Sequence, residues 1–447
     1  MKKEIPFYKV VMKIAIPVTL QSLLQSSFSV VDQIMTGQLG STNIAGIGLG
    51  AKFSSIFSVL VSAVAVAAGI MIAQYIGKKD MREVSRSFFL NIIVAMTLAV
   101  LFTLLCILFP AHIMGIYTND AAVKKVAAKY LIILSASFIP IAACTLFSTL
   151  MRCIEAAHLP LYAGIASAVI NTGLNYVLIF GNLGFPKMGV TGAALATVIS
   201  QIAGCILTIY MFFRYYRKKN LKLEFAIRLN KSAGKQYISI LLPILTCEFL
   251  WSLGENVYTG IYGHIGTAEC AAMTLTVPVQ VLFIGALSGV SQAAGILIGK
   301  YLGSELYDKA YKDSKKLMLY GLYGSIVLSV VLILVSRFYV QIYNVGSNVK
   351  DIAVQILIAF AVIAPVKVQN MILGGGIIRS GGKTKYVMLI DFIGTWGFGV
   401  PLGLMAAFIW NLSIPYVYFI LSLEECVRLL ITIVVFRRKN WMISLKN

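Results

Sequence analysis

Apolar residues in this chain fall in long blocks separated by clusters of glycine, proline and charge. They show neither the alternation of half-buried strands nor the one-sided stripe of soluble helices. A bilayer core about 30 Å thick takes about 20 helical residues to cross. Reading the clusters as breaks predicts twelve spans, at approximately 12–38, 44–76, 87–110, 123–150, 160–182, 189–213, 237–263, 267–299, 317–341, 351–378, 385–408 and 411–436. Several exceed 25 residues, which predicts tilted or bent helices. The expected fold class is an all-α integral membrane protein of twelve transmembrane helices.

The pattern repeats. At an offset of 226 residues Pro17 meets Pro243, Gly37 meets Gly263, Gly40 meets Gly266 and Gly77 meets Gly303. "VAAGIMIAQYIG" (66–77) lies over "QAAGILIGKYLG" (292–303), and 18 of 61 ungapped positions, 17–77 over 243–303, are identical. Six spans per half is an even number, so both halves enter the membrane in the same direction. That predicts two six-helix lobes, 1–213 and 237–447, related by a pseudo-twofold axis along the membrane normal with a pathway between them. The stretch 214–236 is then a basic linker on the cytoplasmic side, amphipathic enough to lie along the membrane surface.

Composition supports the membrane class: 59% of residues are hydrophobic and 12% charged, about half the charge of a soluble chain, and mean hydropathy is +0.86. The net charge of +21 would suit nucleic acid, but its distribution points elsewhere. With the N-terminus in the cytoplasm, 29 of the 38 lysines and arginines fall on the inner side and six in outer loops. The positive-inside rule then predicts a multi-pass protein of the cell (plasma) membrane with both termini cytoplasmic. Its basic surplus would meet anionic lipid, with no nucleic-acid partner. The Met1–Lys3 start is read as uncleaved, because no short apolar core with a cleavage site follows it. Seven scattered cysteines read as small packing residues, and three distant histidines suggest no metal site. "GGGIIRSGGKT" (374–384) imitates a phosphate loop, but Ile377 stands where a glycine is required and no strand precedes it. It is expected to turn the chain between spans 10 and 11. No ATPase module and no cofactor motif are present, so transport would draw on an ion gradient or on a separate partner.

Polar residues at membrane depth carry the candidate chemistry. Span 1 holds Gln21, Gln25, Ser29 and Asp32, spaced four, four and three and so on one face. Asp32 lies about 28 Å along the helix from Lys13, in the outer half of the bilayer. A carboxylate there costs about 2.5–3.5 kcal/mol on insertion scales, which makes it a functional candidate. Span 5 carries Asn171 and Asn175 at about 16 and 22 Å from its inner end, and span 6 carries Thr197 about 12 Å from its outer end. Asp32, Asn175 and Thr197 are therefore expected at similar depths, able to hold Na⁺ (Asp32 as its metal ligand) or a proton. The amides and hydroxyl could equally serve only as bonds between helices. In the second half, Glu248, Trp251 and Glu255 on span 7 and Asp391 on span 11 are candidates for attracting substrate, as are Gln21 and Gln25. Glu424 and Glu425 with Arg428 have the spacing of a structural ion pair. Lys52 and Lys367 either neutralise these acids or snorkel.

"IP…SVVDQIMTGQLGSTNIAGIGLG", "AAGIMIAQYIGKKD", "LMRCIEAAHLP", "NTGLNYVLIFGNLGFPKMGVTGAALATVIS" and "GGGIIRSGGKTK" resemble the multidrug and toxic compound extrusion (MATE) family over nearly the whole chain. The resemblance implies a V-shaped pair of lobes and secondary antiport, in which small organic cations or amphiphilic drugs leave as Na⁺ or H⁺ enters. It places the family's helix 1 carboxylate on Asp32, its polar pair on Asn171 and Asn175, and its helix 6 threonine on Thr197. Departures from the NorM type occur in the second half. "PVKVQN" (365–370) holds Lys367 where that type has an acid, and the helix 7 acid falls at Trp251. The chain therefore looks closer to the DinF-like or Firmicute-type branch, coupled through the first lobe. The expected function is an ion-coupled exporter, not an enzyme, acting as a monomer. A lipid-linked oligosaccharide flippase of the wider superfamily is the near alternative, and a membrane-embedded enzyme the distant one.

Overall fold

The computed structural model describes residues 6–219, 231–343 and 345–445. Among them every regular element is a helix. The first half comprises α1 (Phe7–Thr36), α2 (Ser41–Gly77), α3 (Met81–Leu108), short α4 (Pro110–Tyr117), α5 (Ala121–Ser135), α6 (Phe138–Cys153), α7 (His158–Phe180) and α8 (Val190–Lys219). The second comprises α9 (Lys231–Ile265), α10 (Thr267–Gly303), α11 (Tyr307–Gln341), α12 (Ser347–Asn370), α13 (Thr384–Phe392), α14 (Val400–Leu404), α15 (Ile414–Ser422) and α16 (Glu424–Arg437). Ten helical stretches are singly long and apolar enough to cross a membrane, and the bent pair α5 and α6 makes an eleventh. The last expected span, 411–436, is α15 and α16, broken at Leu423. Of the expected linker 214–236, residues 220–230 lie outside the described residues.

The breaks have local causes. The span expected at 123–150 bends by 47° between α5 and α6. Pro140 has no amide to give the carbonyl four residues back, which permits a bend there. Hydroxyls take up carbonyls around it: Ser137 Oγ donates to Leu134 O (2.6 Å) and Thr103 Oγ1 to Ser135 O (3.1 Å). Beyond α12 the helix widens into a π turn over Met371–Ile378. Ser291 Oγ on α10 donates to the Met371 carbonyl at 2.6 Å. Glycines 374–376 therefore belong to a helical wall, and only Gly381 and Gly382 turn the chain, the latter at φ +74°.

The chain divides into two compact units. One comprises residues 23–72 and 80–228. Within it α7 and α8 pack closely through small residues: Ser167 Oγ bonds the Ser200 carbonyl at 2.8 Å, and a Cβ on Gly204 would crowd Ser167. Phe57 stacks on Phe138 at 4.4 Å, and Phe147 sits edge-on to both Phe88 and Phe212.

The other unit comprises residues 1–22, 73–79 and 229–447. In it the repeat becomes visible as a contact. Gly77 faces the backbone of Lys300, and Gly303 faces the backbone of Gln74. The offset of 226 that pairs the glycines also pairs Gln74 with Lys300, so each repeat makes the same contact to the other. Fully buried Gln74 then ties in the segment after α16. Its Nε2 donates to the carbonyls of Ser380 (2.7 Å) and Ile443 (3.2 Å), and its Oε1 accepts from the Leu445 amide (2.8 Å). Trp441 is fully buried and stacks on Phe436, which stacks on Tyr311.

A side chain at Gly303 has no room, whereas nothing lies within 4 Å of a Cβ at Gly260 on α9. Gly303→Val is expected to destabilise the detergent-purified protein by about 1–3 kcal/mol through overpacking. Gly260→Ala is expected to raise stability by up to about 1 kcal/mol through helix propensity. Thermal unfolding followed by intrinsic fluorescence reads both.

Candidate functional site

Asp32 lies four residues from the end of α1, half-buried, and meets α7 directly. Asn175 Nδ2 donates to Asp32 Oδ1 at 2.6 Å and also reaches Asn171 Oδ1 at 3.3 Å. The four-residue spacing places both asparagines on one face of α7. Asn175 is fully buried, and its own Oδ1 has no hydrogen-bond partner among the described residues. No basic side chain pairs with Asp32 there. A carboxylate and a dry, unused amide oxygen next to it form an oxygen-rich donor set suited to a hard cation. Thr197 is not hydrogen-bonded into this group, because its hydroxyl donates to the Ala193 carbonyl of its own helix at 3.1 Å. Thr36 does likewise toward the Asp32 carbonyl at 2.9 Å, at the point where α1 gives way to a tighter turn.

Further along α1, Gln25 is exposed and Gln21 half-buried. Gln21 falls in the unit of residues 1–22 and Asp32 in the other.

Of the second-half acids, Glu255, Asp391, Glu424 and Glu425 line a cavity of about 320 Å³ within the unit that holds α9 to α16, and Glu248 is not among its lining residues. Trp251 and Glu255 reach it from α9, Lys367 and Asn370 from α12, Asp391 from α13, and Glu425 and Arg428 from α16. Trp251 is half exposed, and Glu255 is exposed with no ion pair among the described residues. The remaining charges are compensated. Arg428 lies 3.3 Å from Glu424 and 3.8 Å from both Glu425 and Asp391, and it donates to Thr395. Arg379 lies 3.8 Å from Glu248, Cys247 Sγ donates to Asp391 at 2.8 Å, and Lys367 lies 3.9 Å from Glu425. Glycines make the space: a Cβ on Gly394 would fall on the Arg428 side chain, and one on Gly399 on Glu424 and Tyr258.

Sequence spacing identified Arg428 with Glu424 and Glu425 but not their place in a cavity wall. Tyr258 was missed. Its hydroxyl donates to Glu424 Oε2 at 2.5 Å. The repeat offset carried the signal, since residue 32 plus 226 is 258, so Asp32 and Tyr258 occupy equivalent positions. Lys52, weighed as a neutralising base, is exposed.

A model of the MatE family matches the chain twice, at residues 17–177 and 243–405. The chain belongs to the MatE family. The two matches start 226 residues apart, the offset of the internal repeat. MATE proteins are membrane transporters, and this chain has their multi-pass helical fold. It is 21% identical over 434 residues to the uncharacterized transporter YisQ of Bacillus subtilis, covering 95% of this chain and 93% of that protein. It is 24% identical over 407 residues to a probable multidrug resistance protein NorM of Thermotoga maritima, covering 90% and 86%. A crystal structure of a MATE protein in complex with MaL6 is similar at a TM-score of 0.88 and 16% identity, over 97% of this chain and 96% of that one.

Arg428 balances three carboxylates, so removing it strands buried charge. Arg428→Leu is expected to cost about 3–5 kcal/mol of stability, measured by thermal unfolding. Restoration by the added change Glu424→Gln would show the loss to be electrostatic.

Proposed function

We propose that this MATE-family protein is a secondary active antiporter of the plasma membrane. It exports cationic or amphiphilic organic compounds in exchange for Na⁺ or H⁺, with both termini in the cytoplasm. The observation that carries this reading is Asp32: an acid on an apolar helix, held by one neutral amide and, among the described residues, by no base. A carboxylate so placed can release and take up a cation without first breaking an ion pair. Na⁺ would be held by the Asp32 carboxylate and the unused oxygen of Asn175, with Asn171 adjacent and Thr197 as a further oxygen from α8. A proton would sit on Asp32 itself and remove the acceptor of the 2.6 Å bond from Asn175. Either event changes what ties α1 to α7.

Coupling follows if the two packings of α1 differ in affinity for cargo, since each ligand then biases the same equilibrium. The names of the NorM relatives support organic compounds as cargo. So does the cavity, where Glu255, exposed and in no ion pair within 4 Å among the described residues, lies with the exposed ring of Trp251, a pairing that suits an organic cation. The flippase reading calls for cationic clusters to hold a pyrophosphate. Here Lys367, Arg379 and Arg428 each lie within 4 Å of a carboxylate. Among the described residues no pairing of nucleophile and base supports the reading as a membrane-embedded enzyme.

Asp32→Asn removes the charge and keeps the shape and the bond capacity. It is expected to reduce gradient-driven ethidium accumulation in everted vesicles at least about 100-fold, the scale of a lost charge-assisted interaction of about 3 kcal/mol, with insertion and unfolding temperature retained. Imposing Na⁺ and H⁺ gradients separately identifies the ion. Undiminished transport by this variant would overturn the assignment.

A further inference from the structure

The cavity bounded by α9, α12, α13 and α16 holds a lysine that transport of organic cations does not call for. Lys367 stands three residues before Asn370 on α12, so both reach Glu425 on α16 from one helix face. Their contacts differ in kind. Asn370 Nδ2 is hydrogen-bonded to both the Glu425 carbonyl and Glu425 Oε2, each at 2.8 Å, and so aims the carboxylate. Lys367 Nζ lies 3.9 Å from Glu425 Oε1, beyond hydrogen-bonding range, and makes no hydrogen bond among the described residues. Arg428 also lies 3.8 Å from that oxygen, but it is anchored by Glu424, Asp391 and Thr395. The Lys367 side chain is 30% exposed, against 8% for the Glu425 side chain. Of the cations around Glu425, Lys367 is thus the one held by charge alone, on a stem of four flexible carbons.

We propose that Lys367 is a specificity-determining residue, a tethered stand-in for the cationic group of the cargo. Its ammonium neutralises Glu425 in the empty cavity and yields that place only to a ligand that brings a second positive group. This rests on the cavity's being the site of organic cations. A ligand with one positive group is served by Glu255, which makes no ion pair within 4 Å among the described residues and is the more exposed of the two acids. A ligand with two must also engage Glu425, and there it competes with a resident ammonium at very high effective concentration. Lys367 therefore tunes the cavity toward singly charged cargo, and the aimed carboxylate behind it is a latent second cation subsite.

The test is equilibrium binding to the purified full chain in nanodiscs, with tetraphenylphosphonium as the single cation and a bis-quaternary alkyl ammonium as the double one. Lys367→Gln and Lys367→Met, the second keeping much of the stem, are expected to tighten binding of the double cation about tenfold or more and of the single cation less than about threefold. Lys367→Arg should show no gain. Combining Lys367→Gln with Glu425→Gln should cancel it, because the subsite itself is then gone. Unchanged or weaker binding of the double cation by both neutral variants, with unfolding temperatures within a few degrees of the parent, would overturn the proposal. So would a gain that persists without the Glu425 charge. If neither probe binds the parent or any variant, the reading of the cavity as a cation site falls first, and the role of Lys367 falls with it.

Discussion

A polar group in hydrocarbon has no water to fall back on, and each one left unpaired costs several kcal/mol. That constraint organises this protein at every scale. Backbone amides are paired within helices, and where a helix widens or bends a hydroxyl supplies the missing partner, as Ser291 does for Met371. Side chains obey the same rule. Gln74 uses both amide groups on backbone partners, and Arg428 is shared among three carboxylates and Thr395. The pairing is not complete: Arg428 Nε, Asn370 Oδ1 and Asn175 Oδ1 are among the buried polar atoms without a hydrogen bond, and of these Asn175 Oδ1 belongs to the amide that holds Asp32.

The two units answer the cost of a buried acid in different ways. In one, a single carboxylate is met by an uncharged amide, which leaves its charge available to something that comes and goes. In the other, carboxylates and bases are nearly matched, and Gly394 and Gly399, in the wide turns of Ile393–Gly399, clear the volume they need. The exchange of a small cation proposed above would use the first arrangement, and the second shapes a cavity in which most charge is already spoken for.

Much of this was legible in the sequence, and the exceptions have physical reasons. Helix positions followed from hydropathy because the bilayer admits few alternatives. The meeting of Asp32 with Asn175 followed from depth, since rise per residue fixes how far each lies along its helix. Thr197 was expected at the same depth, but depth says nothing of rotation, and its hydroxyl donates to its own backbone. The break between α5 and α6 was signalled by Pro140, which a window average of hydropathy cannot register. Glu424 and Arg428 announced a local pair, yet the cavity they line also needs Lys367, Asp391 and Trp251. Those partners meet only through helix packing, for which spacing along one helix carries no information.

The mirrored contact of Gly77 with Lys300 and Gly303 with Gln74 has a consequence for the repeat. When equivalent residues contact each other reciprocally, the interface is of the kind two identical subunits form about a twofold axis. Each repeat thus brings both a glycine and the backbone that the other repeat's glycine packs against. The two copies keep this contact while differing at chemically important positions, with Asp32 in the first where the second has Tyr258.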